Sequence, residues 1–221
     1  MVFKKVLCLF GLLAGILLCP AGSSALVVID EFLADPPLGS AGDANGDGIR
    51  NSSDDEFVEL LNTGGADQDL SLWSLWDSTA LRHLFAQGTQ LAPSERLVVF
   101  GGGQPAGIPG QVFTASSGLL SLNNSGDEIL LKDSSGQVAD HVIFSSEADK
   151  DQSLTRFPEG SGSFVLHRSV SSQGLSFSPG TGPGGTGSVS GTVAPEPASF
   201  LLIGLGLLAS TTGRLFGSGK E

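Results

Sequence analysis

The chain has 221 residues with 23 Asp and Glu against 11 Lys and Arg, a net charge of −12. Between residues 26 and 194 the imbalance grows to 21 acids against seven bases. Such a surface repels phosphate backbones and anionic lipid, which excludes nucleic acid as a partner and suits divalent cations and a saline exterior.

Residues 1–25 read as a secretory signal. Lys4 and Lys5 form a charged start, Val6 to Leu18 an apolar core, and Ser23-Ser24-Ala25 a small-residue cleavage site. Leu18 stands before Cys19, where lipidation needs a small residue, so a lipoprotein is rejected. Cys8 and Cys19 are the two cysteines of the chain, and both lie in this leader. The exported body therefore has no disulfide and must be held by its core and by any ion it binds.

Leu26 to Leu33 opens the body as a β-branched strand. Glu56 to Leu61, Asp69 to Trp76, Leu81 to Phe85 and Glu95 to Phe100 continue as strands, divided by turn clusters such as Asn62-Thr63-Gly64-Gly65 and Ala92-Pro93-Ser94. Trp73 and Trp76 are expected to fill the core. Asp127 to Lys132 and Gln137 to Phe144 form a hairpin about Asp133-Ser134-Ser135-Gly136. In its second arm Val138, Val142 and Phe144 are set against Ala139, His141 and Ile143. Short strands at regular spacing predict an all-β sandwich.

Between the first two strands runs Asp43-Ala-Asn-Gly-Asp-Gly-Ile-Arg-Asn-Ser-Ser-Asp54. Side-chain oxygens fall at loop positions 1, 3, 5, 9 and 12 (Asp43, Asn45, Asp47, Asn51, Asp54), with Gly48 at position 6, where a calcium loop bends sharply. Calcium takes about 6–8 oxygen ligands, which this spacing can supply with the Ile49 carbonyl at position 7. Asp54 in place of a bidentate Glu predicts a weaker site. The bland alternative is an acidic, solvated turn. Pro36 and Pro37 exclude an entering helix, so the loop is an insertion between strands.

From Ser171 to residue 194 the chain turns to Gly, Ser, Thr and Pro and is expected to be a flexible linker. Residues 195–221 begin Pro195-Glu196-Pro197, continue through an uncharged stretch to Gly213, and end with Arg214 and Lys220. That stretch predicts a short transmembrane helix with its basic end cytoplasmic.

His83, His141 and His167 share no metal spacing, and neither H-E-x-x-H nor G-x-S-x-G occurs. Glycine patterns at Gly180–Gly185 and Gly204–Ala209 sit outside any βαβ unit and are read as decoys. A non-enzymatic module is expected. A polysaccharide-binding module using Trp73 or Trp76 and an accessory or cryptic hydrolase are the alternatives.

Residues 26 to about 180 resemble bacterial lamin tail domains. The resemblance rests on Ile29-Asp30-Glu31-Phe32-Leu33-Ala34-Asp35-Pro36, Asp55-Glu56-Phe57-Val58-Glu59-Leu60, Leu97-Val98-Val99-Phe100-Gly101, Leu122–Asp127 and Asp151–Arg156. It implies an immunoglobulin-like β-sandwich over 26–170, with Glu56, Phe57 and Glu59 as framework rather than catalytic positions. The 43–54 insertion is similar to the calcium loops of dockerins and thrombospondin repeats, although Arg50 stands where those loops prefer an apolar residue. The C-terminus resembles a PEP-CTERM sorting signal with a reduced basic end. That likeness implies an exosortase-type protease as processing partner, and a tethered precursor delivered to the surface or matrix of a Gram-negative bacterium. Surface proteins or exopolysaccharide would be its neighbours there.

Overall fold

The computed structural model describes residues 26–185. The expected signal helix, the transmembrane segment and residues 186–194 of the expected linker lie outside them. Among the described residues no helix is long and apolar enough to cross a membrane.

Twelve strands build the domain: β1 (Val27–Leu33), β2 (Phe57–Asn62), β3 (Gln68–Asp69), β4 (Ser74–Trp76), β5 (Leu81–Leu84), β6 (Gln90–Leu91), β7 (Arg96–Phe100), β8 (Gln111–Thr114), β9 (Gly126–Lys132), β10 (Val138–Ser145), β11 (Leu154–Phe157) and β12 (Ser163–Leu166). They form a six-stranded sheet in the order β12-β11-β1-β2-β7-β8, a four-stranded sheet β10-β9-β4-β5, and the small pair β3-β6. All pairings are antiparallel except β7 with β8. The expectation of an all-β sandwich therefore holds.

In β2 and β7 the register follows from alternation, since successive strand residues face opposite sides, while a bulge between Ile29 and Glu31 of β1 lets Ile29 and Phe32, three residues apart, share the inner face. Ile29 and Phe32 of β1, Val58 and Leu60 of β2, and Leu97 and Val99 of β7 meet Leu75, Ile129, Leu131, Val142 and Phe144 of the smaller sheet. Phe32 is the centre of this core, with ring centroids 4.7 Å from Phe144 and 5.3 Å from Phe164. The opposite set, Leu33, Phe57, Val98 and Phe100, gathers with Ala44 in a second cluster, packed by Ile108, Val112 and Phe177. The large sheet is thus buried on both faces. Its outer roof is made of the 43–54 insertion, the loop after β7 and the segment after β12. This is why every residue of β1 and β2 is buried, acids included.

Four expectations change, one of them the core position of Trp76, which stands on the outer side of the small sheet. The single strand over Asp69–Trp76 is two short strands, because Leu72 adopts φ 63 and turns the chain between them. A bulge between Val138 and Asp140 shifts the β10 alternation, so Val138 stands outward with His141 and Ile143 while Val142 and Phe144 stay inside. Residues 171–185 are not a free linker. Phe177 lies edge-on to Phe57 at 6.4 Å, and the backbone N–H groups of Ser178 and Gly180 donate to Glu31 and Glu59. Buried acceptors on the sheet hold this stretch down together with the one apolar anchor at Phe177.

Of the two tryptophans, Trp73 packs against the main core. Trp76 lies half-buried on the outer side of the small sheet, under the Lys132 ammonium at 4.2 Å. His83 is 5 % exposed, with its ring edge-on to Phe85 at 4.6 Å and Nδ1 3.1 Å from the Thr114 carbonyl.

Two outcomes are expected. Phe32→Ala should cost roughly 3–5 kcal/mol by chemical denaturation, against about 0.5 kcal/mol or less for Ile143→Ala. Burial pushes the His83 imidazole down to about 4, so the folded chain refuses a proton that the unfolded chain accepts below about 6.5. Stability tied to this group is therefore complete above pH 6.5 and lost as pH falls toward 4. Between pH 7 and 5 the loss should be about 2 kcal/mol. Urea unfolding of His83→Gln at the two pH values should show that share of the acid sensitivity gone.

Candidate functional site

The 43–54 insertion leaves β1 through Pro36-Pro37 and a 3-10 turn at Gly39–Gly42, and re-enters the sheet at β2. Its location between two strands is as the sequence implies. Inside the loop Asp43, Asn45, Asp47 and Asn51 each turn a side-chain oxygen back on the backbone. Asp43 Oδ2 accepts from Gly48 N–H at 2.9 Å, Asn45 Oδ1 from Asp47 N–H at 3.0 Å, and Asp47 Oδ1 from Ile49 N–H at 2.8 Å. Asn51 Oδ1 accepts from Ser53 and Asp54 N–H at 2.9 and 3.3 Å. Gly48 makes the bend with φ 88, a left-handed conformation that a side chain resists.

Asp55, completely buried, pins the loop from behind. Its Oδ1 accepts from Asn45 N–H at 3.0 Å and its Oδ2 from Asn51 N–H at 2.7 Å. Burial raises its pKa against the pull of these donors. Its role was hidden by Asp54, since in sequence the two form a doubled acid of which only the first has ligand spacing. Arg50 is a brace rather than a misfit, donating to the carbonyls of Pro37 at 3.0 Å and Pro36 at 2.6 Å.

The loop rests on the Gly101-Gly102-Gly103 turn that ends β7. A Cβ at Gly101 would meet the Ser53 carbonyl oxygen at 1.8 Å, at Gly102 the Asp54 Oδ1 at 2.4 Å, and at Gly103 the Asn45 Nδ2 and Asp47 Oδ2 at 2.4 and 2.5 Å. Three glycines are therefore what let the two loops touch. Asn45 adds a bond from Nδ2 to the Gly102 carbonyl, and Gln104 N–H donates to Asp47 Oδ2 at 3.1 Å. The Gln104 and Ile49 amides hold the Asp47 carboxyl below its usual range.

Asp47, Ile49 and Asp54 line one open cleft with Gly103 and Gln104. Asp43 Oδ1 is buried and meets no hydrogen-bonding partner in the protein. Among the described residues no three His, Cys, Asp or Glu side chains form a group that could hold a metal. The three acids of the loop do not converge as an all-carboxylate cluster.

The histidines stay apart. His83 is in the core, and His141 is exposed with Nε2 3.1 Å from Glu128. His167 is fully buried beneath the segment after β12, where Nε2 lies 2.8 Å from Ser178 Oγ. That serine–histidine pair has its Nδ1 on the Leu175 carbonyl at 2.9 Å rather than on a carboxylate. Gly180, from the first glycine pattern, gives its N–H to the Glu59 carboxylate at 2.6 Å. The second pattern lies outside the described residues.

No curated protein matches the chain. The profile of the lamin tail domain matches residues 20–145, more than half of it. The match ends with β10, whereas β11 and β12 complete the same six-stranded sheet. The chain belongs to the lamin tail domain family.

Proposed function

We propose that this chain is an exported, non-catalytic lamin tail module whose 43–54 loop takes a calcium ion that stabilises the domain. In this reading its C-terminal signal is read by an exosortase-type protease, which releases a membrane-tethered precursor to the cell surface or extracellular matrix. The observation that carries the calcium reading is the set of backbone bonds to Asp43, Asp47 and Asn51, together with the buried, unpartnered Asp43 Oδ1. A buried polar atom without a partner is costly, and a hard cation is the partner that a carboxylate oxygen takes most readily. Asp43, Asn45, Asp47 and Asp54 would bind through side chains, Ile49 through its carbonyl, and Asn51 directly or through water. The mixed amide, carbonyl and carboxylate donors suit calcium rather than a softer metal.

Calcium binding the folded chain alone stabilises it by about 2.7 kcal/mol at one hundred times its dissociation constant. For a domain of this size that raises the melting midpoint by roughly 5–10 °C. Thermal unfolding in calcium and in chelator should differ by that amount, and Asp43→Ala with Asp47→Ala should remove the difference. Coincident midpoints for the unaltered protein would end the calcium reading.

A second reading, binding of extracellular polysaccharide, draws on the half-exposed Trp76 beside Lys132. An indole offers a broad apolar face on which a sugar ring can stack and an N–H for a polar partner. Trp76→Ala should abolish retention on immobilised exopolysaccharide while leaving the melting midpoint in place.

A further inference from the structure

The outer face of the large sheet carries a buried polar cluster that neither the core nor the 43–54 loop uses. Glu31, His167, Ser153 and Ser178 are all at most 5 % exposed. Glu31 Oε1 accepts from Ser153 Oγ at 2.6 Å and from Ser178 N–H at 2.8 Å. Ser178 Oγ lies 2.8 Å from Glu31 Oε2 and 2.8 Å from His167 Nε2. His167 Nδ1 lies 2.9 Å from the Leu175 carbonyl, which can only accept, so Nδ1 carries a hydrogen.

Counting hydrogens then fixes a protonation state. Ser178 has one hydroxyl hydrogen for two contacts, one to Oε2 and one to Nε2. The second contact needs a further proton, on the glutamate or on the imidazole. With the carboxyl protonated, Glu31 donates to Ser178 and Ser178 donates to a neutral His167. With the imidazole doubly protonated, the same two bonds run the other way. Either arrangement holds one labile proton across the 3.9 Å between Nε2 and Oε2.

We propose that His167, Ser178 and Glu31 hold one shared proton and form a pH-dependent latch, which keeps segment 171–185 closed over the sheet and releases it when that proton is lost. Without the proton two lone pairs face each other across one contact, and an uncompensated negative charge is left buried. The surroundings sharpen this. Asp30 on β1, Glu59 on β2 and Glu159 after β11 gather on Arg96 of β7, with Arg96 Nη1 2.8 Å from Asp30, 2.5 Å from Glu59, and Nη2 2.7 Å from Glu159. A single guanidinium already faces three acids, and Arg168, next to His167, gives its guanidinium to Ser176 Oγ at 2.7 Å and the Asp151 carbonyl at 3.2 Å rather than to Glu31. Thr155, its neighbour across β11, is buried and uncharged. Burial raises the pKa of Glu31, against the opposing pull of His167 and the serine donors. A carboxyl raised on folding stabilises fully below its unfolded value of about 4.3, and that contribution disappears as pH rises through the folded value. The latch is therefore shut in mild acid and opens toward alkaline pH. Opening withdraws Phe177 from Phe57 and uncovers the second apolar cluster.

The test is hydrogen exchange of the full-length chain in detergent across pH 5 to 9, corrected for intrinsic rates. Protection of peptides from 171–185 should fall at least tenfold relative to β2 as pH rises. Glu31→Gln supplies a permanent donor in place of the proton and should keep those peptides protected throughout. Ser178→Ala removes the bridge and should leave them open at every pH. Protection that tracks β2 at all pH values, or a Glu31→Gln variant that keeps the original pH response, would each overturn the latch.

Discussion

The constraint on which this domain turns is that its large sheet is apolar on both faces. An antiparallel sandwich usually leaves one face of each sheet to water. Here Leu33, Phe57, Val98 and Phe100 make a second apolar surface that the small sheet cannot reach. A roof is therefore obligatory, and among the described residues it is made from loops. Ala44 from the first insertion, Ile108 from the loop after β7 and Phe177 from the closing segment each contribute an apolar contact.

This gives the acidic insertion a structural meaning before any ion is considered. It is fastened to the sheet through Ala44, Asn45 and Asp55, with one oxygen each of Asp43, Asn45, Asp47 and Asn51 turned onto its own backbone. The Gly101–Gly103 turn accepts it at distances that no side chain would allow. A cation bound there would act on the roof as a whole, since the loop is continuous with both neighbours. Rigidity is also what a weak oxygen site needs, because preorganised donors lose less entropy on binding.

The other half of the outer face is polar and equally covered. Asp30, Glu31 and Glu59 are all but fully buried, yet each has backbone or hydroxyl donors, and Arg96 answers two of them directly. Buried charge is costly unless paired and hydrogen-bonded. Burial raises Glu59 well above its usual pKa despite Arg96. Such a cluster adds little net stability but specifies geometry. The backbone of Ser178 and Gly180 fits only where those carboxyl groups stand, which is how a stretch rich in glycine and serine finds a fixed place.

Much of this was legible in the residues. Alternation and turn chemistry locate the strands of the core, and the spacing of Asp43, Asn45, Asp47, Asn51 and Asp54 marks the insertion, because both depend on near neighbours in the chain. Composition alone sets the charge and removes disulfides from the body. Only the tertiary structure decided what lies on what. The parallel β8, the bulge in β10, Arg50 as a brace, Asp55 as a pin and the docking of residues 171–185 all depend on partners far along the chain. Nothing beside Glu31 or Glu59 in the chain names the partners of their carboxyl groups. They become anchors only when a distant segment brings its N–H groups to them, an event for which local sequence carries no period and no spacing.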